Sequence, residues 1–105
     1  MTENLLRDTV VEMTAASIDR AALDDRSLMI ARLAALVAVD APASSYLLNL
    51  AAAAGVGMEA DDVQALLIAV APIVGTPKVV RATVAIAEAL GIGLGLEEAL
   101  ADSNA

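Results

Sequence analysis

From Leu28 to Val39 the chain reads LMIARLAALVAV, apolar on almost every side of a helix and interrupted by a single charge, Arg32. A surface helix of an ordinary domain carries one apolar stripe, whereas a helix that is apolar all round has to be covered on more than one side. A chain of 105 residues offers little to cover it with, because a domain this short hides only about two-thirds of the surface its unfolded chain exposes. Composition sharpens the difficulty: 59% of the residues are apolar, against roughly 45–50% in typical domains. The surplus is Ala, Leu, Val and Ile, with Tyr46 the only aromatic residue, which suits helices that approach closely through small side chains. The expectation is a helix buried within its subunit on one side and between subunits on the other, hence a homo-oligomer.

The remaining segments read as helices with local punctuation. Residues 3–20 place Leu6, Val10, Met13 and Ser17/Ile18 at helical spacing, predicting an amphipathic N-terminal helix. Asp24 and Asp25 open the apolar segment that runs to Val39, as acids at a helix start should. Asp40 followed by Pro42 predicts a cap and a fresh helix over 42–54, ended by Gly55 and Gly57. Glu59, Asp61 and Asp62 form an acidic first turn for a helix through VQALLIAVA that Pro72 should kink or end. Thr76-Pro77 starts another, over 77–90, stopped by Gly91. A short last helix over 96–101 and a frayed tail, ADSNA, complete a single domain over residues 1–105. No strand-like alternation competes, so the fold class is all-α, with about five to six helices.

Charge and residue types exclude much chemistry. The net charge is −8 and the six basic residues are scattered, which argues against nucleic acid as a partner, since phosphate binding needs clustered Lys and Arg. Without Cys or His there is no disulfide, no thiolate or imidazole metal ligand and no imidazole base, so neither a metal nor another cofactor is expected. The long uncharged runs, Ala41 to Met58 and Val63 to Pro77, are broken by Pro, Gly, Ser and Asn and fall short of the ~20 apolar residues that span a bilayer. The start, MTENLLRDTV, lacks the basic-then-apolar pattern of a secretory signal. A cytoplasmic protein without a membrane partner is the expectation.

The order of LDDRSLMIARLAALVAVD, DAPASSYLLN, GMEADDVQALLIAVAP and GTP resembles the carboxymuconolactone decarboxylase and alkyl hydroperoxidase D-like family over residues 23–90. The GMEADDV-to-GTP spacing is the most specific part of the likeness. That family opens a helix with a Cys-x-x-Cys-x-x-x-His or His-only segment. Anchored on Gly57, the resemblance puts Asn49 at the His position, Ser45 and Pro42 at the two Cys positions and Ile30 at the relay Glu. Anchored on Leu23, it puts Leu48, Ser44, Ala41 and Met29 there. Either way the thiols, the imidazole and the carboxylate are missing. The peroxidase cycle that the resemblance implies needs a thiolate and a resolving thiol, and its decarboxylase branch needs a proton-exchanging His. The resemblance also implies trimers or hexamers.

Four residues are candidates for a remnant pocket that could take a small molecule: Arg32, Ser45, Tyr46 and Asn49. Ser44 and Ser45 fit the first turn of a helix, where hydroxyls satisfy local N–H groups; as a nucleophile either would need a base, and only Lys78 or a carboxylate is on offer. Asn49 lies one turn beyond Ser45, so both can face one cavity, or Asn49 can bridge two helices. Tyr46 closes a pocket or packs with its hydroxyl at an edge. Arg32 must reach solvent by its stem or find an acid, on another subunit or as a ligand carboxylate that it clamps. Lys78 and Arg81 read as a solvated basic face, and the acids at 59–62 as a helix start rather than a metal cluster. GIGLG lacks the strand and the full glycine pattern of a nucleotide loop. No catalytic residue is assigned. The expected function is a redox-inactive, homo-oligomeric binding or structural protein, a scaffold without its reagents; the alternative is an enzyme of the family type, a lyase or isomerase working through the polar residues of the remnant pocket, or a peroxidase.

Overall fold

A computed structural model describes the backbone of residues 2–104 and the side chains of residues 4–91. Five helices follow one another: α1 (Thr2–Ala21), α2 (Asp25–Ala38), α3 (Ala43–Gly55), α4 (Ala60–Val74) and α5 (Thr76–Asn104). No strand occurs among the described residues.

The core is narrow because few residues reach it. Met29, Leu33 and Val37, four apart along α2, point one face inward, where they meet Tyr46 and Ala53 of α3, Leu66 of α4 and Ala82 and Ala89 of α5. Burying each large side chain of this set is worth about 1.5–3 kcal/mol. The alanines matter by being small, since they let α3 lie against α5, the most extensive helix pairing in the bundle.

The joints between helices are local chemistry. The Asp24 carboxylate accepts the N–H of Ser27 at 2.8 Å and the Ser27 hydroxyl at 2.8 Å, starting α2 as the sequence predicts. Asp40 does not cap α3. It sits in the left-handed region, φ 59°, and closes α2: its N–H donates to the Val37 carbonyl at 3.2 Å and that of Ala41 to Leu36 at 3.0 Å. This pair of reverse bonds satisfies carbonyls that a helix end leaves open. Pro42 then precedes α3. Gly57 (φ 88°) ends α3 in the same way, with Gly57 N–H to Ala54 at 3.1 Å and Met58 N–H to Ala53 at 3.0 Å. At the start of α4, the Asp62 carboxylate accepts the Glu59 N–H at 2.8 Å and pairs with Arg26 of α2.

Two proline and glycine expectations shift. Pro72 lies inside α4, which ends two residues later at Val74, just before Gly75 (φ 89°), because so close to the C-terminus the ring removes only the bond to the Ile68 carbonyl, and Ile68 is exposed. Gly91 does not stop a helix: α5 continues through it, so the separate helix expected over 96–101 is part of α5. A helical glycine costs only about 1 kcal/mol relative to Ala, and the Ala, Leu and Glu around it outweigh that. The end of the ADSNA tail, Ala105, lies outside the described residues.

The first helix is the outlier. Every described residue of α1 is exposed except half-buried Ala16, and Leu5, Leu6, Val10, Val11, Met13 and Ile18 all face solvent. Among the described residues it forms no substantial packing with α2 to α5. The chain consequently exposes 7302 Å², where a compact monomer of its size exposes about 5500 Å².

Candidate functional site

The α3 positions singled out from sequence are held by bonds within their own helix. Ser45 and Asn49 are half-buried, one turn apart, and the Asn49 side-chain amide donates to the Ser45 carbonyl at 2.8 Å. That bond stays within α3, so the helix-to-helix bridge expected of Asn49 is not made. The Ser45 N–H donates to the Pro42 carbonyl at 3.0 Å, a first-turn bond. Ser44 is exposed.

Tyr46 departs most from expectation. Only 1% of its surface is accessible, and its hydroxyl, placed by the sequence reading at a pocket or an edge, is buried with no hydrogen-bond partner. Burial, and secondarily the negative charge of Asp40, pushes the phenol's pKa above the ordinary tyrosine value. The phenol therefore stays protonated near neutrality.

Arg32 is half-buried on α2, and its Nη2 reaches the Ser17 hydroxyl of α1 at 3.4 Å. Among the described residues it pairs with no carboxylate; the two ion pairs there are Arg26–Asp62 and Arg81–Asp40. Lys78 and Arg81, read from sequence as a solvated face, have specific tasks. Lys78 Nζ donates to the Ala38 carbonyl at 2.9 Å and Arg81 Nε to the Asp40 carboxylate at 2.9 Å, so α5 places two cations on the C-terminal end of α2, the negative end of that helix dipole.

Among the described residues, the two concavities lie elsewhere. A half-open cleft of about 540 Å³ lies between α3, α4 and α5, walled by Leu50, Met58, Val63, Leu67, Ile86 and Leu90. Its few polar groups are Glu59, Gln64 and Thr83, and the Thr83 hydroxyl is already spent on the Val79 carbonyl at 2.9 Å. A second, shallower hollow of about 410 Å³ lies beside Asp40, Val80, Arg81 and Val84. None of Arg32, Ser45, Tyr46 and Asn49 lines either one. The sequence carried a faint sign of the cleft in the four-residue spacings Leu50/Ala54, Val63/Leu67 and Ile86/Leu90, but which faces meet is decided by packing.

Chemically, the cleft offers apolar contact and little else. Among the described residues no group of three or more acids, His or Cys could hold a metal ion, and no helix is long and apolar enough to cross a membrane. The chain matches no protein-family model, no curated protein and no solved structure.

Proposed function

We propose that this chain is a non-catalytic, self-associating helical protein of the cytoplasm, whose role is binding or structural. The observation that carries the reading is the exposed apolar surface. Fifteen large apolar side chains among the described residues are exposed, in a chain showing about 1800 Å² more surface than a compact monomer of its length. Covering that surface with other subunits is the direct remedy. The motif resemblance to the carboxymuconolactone decarboxylase and alkyl hydroperoxidase D-like family supports the same reading and implies a trimer or hexamer. Arg32, half-buried without an acid among the described residues, fits an intersubunit carboxylate; a small-molecule carboxylate held with Ser45 and Asn49 would use the same charge. A dithiol peroxidase cycle has no reagents here, because the chain contains no cysteine.

The test is light scattering at micromolar concentration, coupled to a hydroperoxide-consumption assay with a dithiol reductant. The expected outcome is a closed oligomer of at least two subunits and consumption no faster than buffer. A stable monomer, or turnover that follows the protein through purification, overturns the reading.

A further inference from the structure

The cleft between α3, α4 and α5 exists because the chain puts small residues where three helices meet. The last turns of α3 read AAAAG, Ala51 to Gly55, and α4 opens on Ala60. Alanines therefore line the hollow from that side, and Val63, Leu67, Ile86 and Leu90 of α4 and α5 complete it. Its volume of about 540 Å³ lies within the roughly 300–1,000 Å³ of small-molecule sites, and its lining is apolar with few polar groups, as theirs is. The Thr83 hydroxyl donates to the Val79 carbonyl at 2.9 Å, so it makes no demand on an occupant. What the walls accept is a hydrocarbon body.

The open side carries the specificity. Glu59 and Gln64 line the cleft and are exposed, so their polar ends stand where a bound molecule meets water. No Lys or Arg lines it, and among the described residues Glu59 pairs with no cation. The start of α4 lies beside this rim, and a helix N-terminus ordinarily attracts an anion. Here that end is already met by the chain's own acids: the Asp62 carboxylate accepts the Glu59 N–H at 2.8 Å, and Asp61 stands in the same turn. A carboxylate head would thus face Glu59 with no cation to offset the repulsion. An ammonium head donates to Glu59 and to the Gln64 amide oxygen, and it keeps its charge at the exposed rim, where desolvation costs least.

We propose that the cleft binds a small lipophilic amine, its hydrocarbon body against the walls and its ammonium at Glu59. The site is separate from Arg32, Ser45, Tyr46 and Asn49, none of which lines it, and it does not depend on the self-association proposed above. For one and the same hydrocarbon, the order of preference is amine over neutral alcohol over carboxylate. The net charge of −8 draws cations to the whole surface, but that attraction is spread over many acids and survives the loss of any one. A contact at the rim is lost with Glu59 alone.

Octylamine, octanol and octanoate share one chain and differ in head charge, so they isolate the two halves of the proposal. Each is titrated into the protein at neutral pH, with Leu, Val and Ile methyl signals followed by NMR and Kd measured by calorimetry. The signals of Leu50, Leu67 and Ile86 should shift, and octylamine should bind about tenfold tighter than octanoate, with octanol between them. Glu59→Gln should bring the ratio of octylamine to octanoate below about threefold, whereas Glu12→Gln, which removes the same charge from exposed α1, should leave it unchanged. Ala54→Phe, which fills the cleft from an exposed wall position, should weaken all three by about tenfold. The ratio is measured within each protein, so a variant of lower stability still reports it. Methyl signals of Leu50, Leu67 and Ile86 that stay in place, as they would under a second subunit covering the cleft, overturn the site. So do octanoate binding as tightly as octylamine, a ratio that Glu59→Gln leaves unchanged, and full affinity in Ala54→Phe. A monomeric protein that binds octylamine in this way overturns self-association and supports the cleft.

Discussion

Tyr46 carries the largest local contradiction in the molecule. Its ring fills the centre of the bundle and its hydroxyl is buried without a partner. A buried donor left unsatisfied costs about 1–3 kcal/mol, whereas the ring itself contributes packing that phenylalanine reproduces. Tyr46→Phe should therefore raise stability by about 1 kcal/mol, or a few degrees in melting temperature for a domain of this length, measured by thermal unfolding. A fall of similar size would mean that the hydroxyl has a partner, such as an ordered water. Asn49 needs no such relief, since its amide is spent on its own helix and couples α3 to nothing else.

At the scale of elements, glycines separate the two ways in which a helix can treat that residue. Gly91 sits within α5 with nothing near the place a Cβ would occupy, and its φ is not positive, so Gly91→Ala should stabilise by about 0.5–1 kcal/mol. Gly57 has equal room but φ 88°, and Gly57→Ala should cost about 1–2 kcal/mol. Urea unfolding of the two variants reads both signs. A loss at Gly91 would restore the helix stop that the sequence suggested. Most helix boundaries were legible because caps, acids and Gly-Pro punctuation act within four residues, as at Asp24 and Gly57. Asp40 was misread because an acid before Pro is also a good left-handed terminator, and only Arg81, forty-one residues away, reveals which end it serves. The bond of Asn49 and the cleft were not legible for a related reason: the first depends on a rotamer, and the second on three helices meeting. For α1, helical spacing suggested an amphipathic helix, but Leu5, Val11 and Ile18 put apolar side chains on its other sides too, and all of them are exposed.

Over the whole molecule, a net charge of −8 opposes compaction, and two carboxylates work against that repulsion. Asp24 is held below the ordinary aspartate pKa mainly by the Ser27 N–H, and Asp62 mainly by the Glu59 N–H and then by Arg26. Both pKa values are depressed on folding, so the contribution is fully present above the unfolded aspartate value and is lost as pH falls through the folded one. Asp62→Asn should lower the melting temperature at neutral pH, and the gap from the parent protein should shrink as the pH is taken below the aspartate range. Comparing the two proteins cancels the relief of overall repulsion that acid brings to both. A gap that stays constant from neutrality to pH 2 would remove Asp62 from the acid response.

The single aromatic ring at the centre of the bundle also decides how the protein can be watched. With no tryptophan and Tyr46 the only tyrosine, near-ultraviolet absorption and emission come from one ring, and that ring touches the core alone. Fluorescence is therefore blind to α1, while far-ultraviolet ellipticity sums over every helix. Wherever the two signals part company during denaturation, the separation measures how far α1 melts before the bundle opens.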